Sequence, residues 1–150
     1  MKACAFDTVI VGTGCAGYNC ADTLAALGRN DVALVTEGRL RGTSRNAGSD
    51  KQTYYTLSLS AGAPDSVMEL AADLFRGGGL DGDLALCQAA GSVQSFMKLV
   101  NLGVPFPRDP YGVFAGYRTD HDPRQRATSI GPYTSREMCR ALIRQVTERQ

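Results

Sequence analysis

The chain has 150 residues, 43% hydrophobic and 21% charged, with a formal net charge of +1. That balance is wrong for a disordered chain, and it gives no electrostatic reason to expect nucleic acid or anionic lipid as a partner. At this length a compact fold buries roughly 68–70% of its extended-chain surface, enough for one core and scarcely for two.

A single histidine, His121, excludes a multi-histidine zinc site and leaves a Ser-His-Asp triad one candidate base. The cysteines are Cys4, Cys15, Cys20, Cys87 and Cys139. No two have Cys-x-x-Cys spacing, so neither a zinc knuckle nor a thioredoxin-type pair is indicated, and no metal site is expected. An odd, scattered set suits a reducing compartment, and a cytoplasmic protein is expected. Asp7 arrives before a signal-peptide apolar region can develop. No run approaches the roughly 18 apolar residues of a membrane span.

In chain order, Phe6 to Val11 is a β-branched run and predicts a strand. Cys15 to Leu27 is rich in alanine and closes at Gly28, which predicts a helix with a C′ glycine. Val32 to Thr36 predicts a second strand. It is apolar on both faces, as in a parallel sheet covered by helices. Strand, glycine turn, helix and strand make a βαβ unit. From Glu37 to about Ser60 there is neither helical nor strand period, and so long an irregular stretch is usually functional.

Ser66 and Glu69 have capping-box spacing before an apolar face of Val67, Leu70, Ala71, Leu74 and Phe75. A longer helix is predicted from about Asp83 to Leu102, with Leu86, Ala90, Val93, Met97 and Val100 inward and Gly103 as its stop. Residues 108–132 read as loop, with a short extended piece from Tyr111 to Tyr117. A last helix is predicted from Thr134, with capping-box spacing to Glu137 and an apolar face of Met138, Leu142 and Val146. Two parallel strands alone make a poor sheet. The expected fold class is therefore α/β: a Rossmann-like βαβ domain with additional helices, expected to be an N-terminal piece of a longer protein or a truncated product. A complete small domain is the alternative.

Gly12-Thr13-Gly14-Cys15-Ala16-Gly17 is G-x-G-x-x-G, set between a strand and a helix, and Glu37 follows the third glycine by 20 residues. In that pattern Gly12 permits the sharp turn, Gly14 lets a pyrophosphate approach the backbone, and Gly17 lets helix and sheet pack closely. The amides of Cys15 and Ala16 then face the phosphates, aided by the helix dipole. Glu37 accepts hydrogen bonds from the ribose hydroxyls and repels a 2′-phosphate. Cys15 has two readings: a thiol of lowered pKa at a helix N-terminus, or simply a small residue that leaves room for phosphate, and the second is preferred. Cys20, Cys87 and Cys139 read as core or near-core residues.

The glycine motif does not separate FAD from NAD. Beyond it the chain resembles the flavoprotein family of succinate dehydrogenase, fumarate reductase and L-aspartate oxidase. The resemblance rests on Asp7 to Gly17, Thr36-Glu37-Gly38, Thr43-Ser44-Arg45-Asn46-Ala47-Gly48-Ser49-Asp50, Leu102-Gly103-Val104-Pro105-Phe106 and Tyr133-Thr134-Ser135-Arg136-Glu137. It implies that Thr43 to Asp50 wraps the pyrophosphate and reaches the flavin ring. Members with covalent flavin carry a histidine where Thr43 stands, so FAD is expected to be non-covalent. Ser49-Asp50 replace two glycines of the family pattern. The resemblance further implies hydride transfer, a small-molecule substrate such as a dicarboxylate, and an electron-transfer partner. It makes residues 1–150 the N-terminal portion of an FAD-binding domain, with the capping or substrate domain absent, and it puts the substrate histidine and arginines mostly beyond residue 150, so the catalytic residues are unassigned.

His121 lies among Arg118, Asp120, Asp122, Arg124 and Arg126, which reads either as an anion-binding or flavin-side loop, or as a solvated charged loop or a histidine held between two carboxylates, the latter pair preferred. Arg41, Arg45 and Lys51 either offset phosphate charge or sit in water. Two alternatives to the flavin reading stand: an NAD-dependent dehydrogenase fragment, and a truncated, non-catalytic product.

Overall fold

The structure, a computed structural model, describes residues 3–49, 52–60 and 64–149. It divides into two compact units, Met1–Asp50 with Pro132–Gln150, and Lys51–Gly131.

The first unit is built on the βαβ pattern. Strand β1 (Thr8–Val11) and strand β2 (Val32–Val35) pair in parallel, Thr8 opposite Val32 and Val11 opposite Val35. Helix α1 (Cys15–Ala26) joins them and ends at Gly28, whose φ of +76° is the left-handed turn expected of a C′ glycine. A single helical turn, α2 (Thr43–Asn46), interrupts the stretch that shows no sequence period. Four residues are too few to display one. Helix α5 (Thr134–Glu148) packs on α1 and α2. Its buried side is Thr134, Cys139, Ala141 and Leu142, with Met138 and Val146 only partly covered. The capping box expected at Thr134 does not form. Thr134 is already the first helical residue, and Tyr133 is the N-cap with no side-chain cap bond.

The second unit corrects the loop expected over residues 108–132. Strands β4 (Tyr117–Thr119) and β5 (Asp122–Thr128) form an antiparallel hairpin, and β3 (Tyr54–Tyr55) pairs with the other edge of β5. Its sequence, Asp-Pro-Arg-Gln-Arg-Ala-Thr, hides β5 because no apolar alternation marks it. Arg126 points inward instead and is buried by carboxylates. It donates to Asp65 at 2.7 and 2.6 Å and to Asp73 at 2.7 Å, with Asp122 at 3.4 Å. A buried cation that is paired on several sides is tolerated where a lone one is not.

Helix α3 (Val67–Arg76) starts with the expected capping box: Ser66 Oγ accepts from the Glu69 amide at 3.2 Å and lies 3.2 Å from Glu69 Oε2. Leu70 and Ala71 are buried, whereas Phe75 is exposed. Helix α4 (Gly82–Asn101) buries Ala85, Ala89, Ser92, Phe96 and Leu99. That is the face one residue away from the expected one, and Leu86 and Met97 are exposed. The reason is the fit against α3: Ala85 and Ala89 have no exposed surface and allow close approach beside Leu70 and Ala71. Phe96 continues that face into an aromatic cluster with Tyr54, Phe106 and Phe114. Among the described residues no helix is long and apolar enough to cross a membrane.

Candidate dinucleotide-binding site

The candidate site is the mouth of α1. Gly12 leaves β1 with φ +102°, a conformation that glycine adopts without strain, and its amide donates to Val35 O at 2.8 Å. A Cβ on Gly17 would lie 2.1 Å from Gly12 O, so the helix sits directly on the turn. Gly14 is the N-cap in extended conformation, and its side chain position opens toward Ser44, whose Oγ would be 3.1 Å from an added Cβ. The first amides of a helix have no intrahelical acceptors, and here they open at this turn. The Cys15 amide reaches Ser44 Oγ at 3.3 Å.

Thr13 does something other than face a ligand with its side chain. It is buried, its hydroxyl lies 2.9 Å from that of Thr36, and both donate to Gly38 O at 3.2 and 3.1 Å. The three residues fasten the glycine turn to the end of β2. Glu37, between them, points into solvent, with Arg41 at 3.9 Å. Arg41 is itself mostly exposed.

The segment after β2 is drawn onto the same turn. A Cβ on Gly42 would fall 2.1 Å from Thr13 O and 2.7 Å from Gly14 N, so the two backbones touch where glycine alone fits. Gly42 was not among the residues singled out from the sequence, although it directly precedes the Thr43 segment. Asn46 holds the α2 turn by donating to Leu40 O at 2.8 Å and Gly42 O at 3.1 Å. Arg45 is half-buried, and Ala47 ends the turn in extended conformation. Gly48 and Ser49 run past Pro132, whose carbonyl accepts from the Ser49 amide at 3.3 Å. Asp50 and Lys51 lie outside the described residues.

Cysteine placement departs from the sequence reading. Cys139 is buried as expected, but Cys20 and Cys87 are exposed. Cys15 turns its sulfur toward α5, 3.3 Å from that of Cys139. No spacing rule could find a pair separated by 124 residues. Residues 118–126 are not the solvated loop preferred from the sequence, since Asp122 and Arg126 are buried in β5. His121 is exposed at the hairpin turn, while Arg124 and Arg126 are engaged by carboxylates rather than open to an anion.

This cradle fits a diphosphate: small residues, two backbones in contact, and helix amides at one mouth. The profile of the FAD binding domain matches residues 7–150. The chain belongs to the FAD-binding domain family. Its cofactor is accordingly FAD, and the NAD-dependent reading left open by the glycine motif is set aside.

Several solved structures share the fold. Over 99% of this chain, FrdA of Escherichia coli quinol fumarate reductase superposes with a TM-score of 0.83 at 22% identity. Sdh1 of Mycobacterium smegmatis, solved with UQ1, does so over 97% with a TM-score of 0.82 at 21% identity. The 3-ketosteroid-Δ4-(5α)-dehydrogenase of Rhodococcus jostii matches over 96%, with a TM-score of 0.69 at 20% identity. The resemblance to fumarate reductase and succinate dehydrogenase flavoproteins is thus present in the fold. This chain spans about a quarter of the first two structures, 25% and 24% of their lengths. No curated protein sequence matches it.

Proposed function

We propose that residues 1–150 are the N-terminal portion of the FAD-binding domain of a flavin-dependent oxidoreductase, and that their task is to hold the adenosine diphosphate part of a non-covalent FAD. The observation that carries this is the contact of Gly42 with the Thr13–Gly14 backbone at the mouth of α1. It brings the segment after β2 to the phosphate-facing amides.

In this reading the amides of Cys15 and Ala16 donate to the pyrophosphate, and Gly12, Gly14 and Gly17 give it room. Ser44 Oγ, already within reach of the Cys15 amide, supplies a further polar contact. Gly38, Thr43 and the stretch Arg45 to Asp50 continue around the cofactor toward the ring, and Thr13 contributes through its backbone. Glu37, exposed just after β2 with Arg41 at 3.9 Å, takes the ribose hydroxyls. Thr43 has no imidazole with which to form a covalent flavin bond.

Bound FAD supplies two-electron hydride acceptance and return. The substrate is a small dicarboxylate or a related molecule, and its binding and proton-donating groups lie outside residues 1–150. Support comes from the length relation: the matched fumarate reductase chain is about four times as long. Val9 and Val11 on β1 are exposed, as they would be where further sheet or helix is to cover them. A separate electron-transfer partner and a cytoplasmic location complete the proposal.

The test is spectroscopic. The protein at its natural length, purified and incubated with FAD, is expected to show visible flavin absorbance and to release all of it on acid precipitation. No flavin absorbance after incubation would refute cofactor binding. Flavin that stays with the precipitate would refute the non-covalent assignment.

A further inference from the structure

Cys15 opens α1 and Cys139 lies on the second turn of α5, and their sulfurs are 3.3 Å apart. The pair is asymmetric. Cys139 has no exposed surface, whereas Cys15 is partly exposed. The hydrogen bond from Cys139 holds the Cys15 thiol below its ordinary pKa, against the opposing effect of burial, with Ser44 assisting. The same bond and burial push Cys139 up. Of the two, Cys15 is the one that an oxidant can reach and that ionises more readily, and Cys139 stands behind it as the donor. Position at a helix N-terminus favours that polarity. A disulfide requires sulfurs about 2.05 Å apart, so closure needs an approach on the order of 1 Å.

We propose that Cys15 and Cys139 form a peroxide-responsive thiol pair that closes to an intramolecular disulfide between α1 and α5, beside the dinucleotide turn. The Cys15 thiolate attacks one oxygen of hydrogen peroxide. The S–O bond forms, the O–O bond breaks, and the departing hydroxide takes up the proton that Cys15 had released, giving water. Cys139 sulfur then attacks the Cys15 sulfenic sulfur. The S–S bond forms, the S–O bond breaks, and the hydroxyl leaves with the Cys139 proton as a second water. The two thiols lose two electrons together, and one peroxide is reduced to two waters. The bond ties the first turn of α1 to α5. That this turn is the one carrying FAD phosphate rests on the proposed site; the thiol chemistry does not.

The protein at its natural length is treated with a small excess of hydrogen peroxide, denatured, alkylated without reduction and digested with trypsin. A cross-link is expected between the Cys15 peptide and Glu137–Arg140, placed at Cys15 by fragmentation and lost with dithiothreitol. Oxidation should raise the thermal midpoint by on the order of 10 °C, reversibly, because the bond closes a long loop. Cys15→Ser should abolish both effects. In Cys139→Ser, a dimedone adduct at Cys15 should appear in place of the cross-link. Full alkylation of Cys139 after peroxide, or a cross-link from Cys139 to Cys4 or Cys20, would overturn the proposal. Flavin absorbance is read on the same samples. A chain that closes the bond but holds no flavin keeps this proposal and loses the cofactor site; one that holds flavin and never closes the bond does the reverse.

Discussion

Arg126 and Asp65 meet through two hydrogen bonds, Nε to Oδ2 at 2.7 Å and Nη2 to Oδ1 at 2.6 Å, and both side chains are almost wholly buried. Burial opposes ionisation of Asp65, but Arg126 and the amides of Ser58 and Ser66 outweigh it and hold the carboxyl below its usual range. Arg126 lowers Asp73 in the same way. Both carboxyls bind their protons more weakly in the fold than in the unfolded chain, where aspartate titrates near about 3.9. Their stabilisation is thus complete at neutral pH and declines as pH falls below about 4. Urea unfolding between pH 7 and pH 3 should show that decline, and Asp65→Asn should flatten it. Stability that increased toward pH 3 would contradict the assignment.

Replacing Arg126 by methionine leaves Asp65, Asp73 and Asp122 facing one another with no cation in the middle. A loss of about 3–5 kcal/mol is expected, because buried Asp65 and Asp122 lose their main partner; Arg124 stays 3.9 Å from Asp65, and Asp73 keeps Arg76 at 2.9 Å. Arg124→Met should cost much less, since that side chain is partly exposed beside Glu69. Chemical denaturation of the two variants makes the comparison, and equal losses would argue against a buried network centred on Arg126.

Gly42→Ala drives a methyl into Thr13 O and Gly14 N. Overpacking against backbone is expected to cost about 3 kcal/mol and to remove FAD binding. Gly79 is the control, because a Cβ there meets nothing within 4 Å. Gly79→Ala should leave both the unfolding midpoint and the flavin content near their original values.

Two substitutions divide the cofactor contacts. Ser44→Ala removes a hydroxyl beside the Cys15 amide, and FAD should bind about tenfold more weakly, the worth of one hydrogen bond. Glu37→Ala removes the proposed ribose acceptor and should weaken FAD by about ten- to a hundredfold, since that bond involves a charged group. Thermal stability without FAD should hardly change for Glu37→Ala, because the side chain is in solvent. Fluorescence titration with FAD measures both, and an unchanged affinity in Glu37→Ala would remove Glu37 from the site.

The amino-acid order by itself determined the βαβ unit. Its signals are local: a β-branched run, glycines at fixed offsets, an alanine-rich helix closed by Gly28, and the capping box at Ser66. The family resemblance was legible for the same reason, in the glycine turn and the Thr43 segment that follows. What tertiary structure decided is what depends on distant partners. The face of α4 that turns inward was set by how closely Ala85 and Ala89 approach α3, which periodicity read one residue off. Strand β5 carries charges in a sheet because carboxylates from elsewhere in the chain surround Arg126. Gly42 and the Cys15–Cys139 contact are invisible to any window of sequence, since each depends on backbones or sulfurs brought together by packing rather than by spacing.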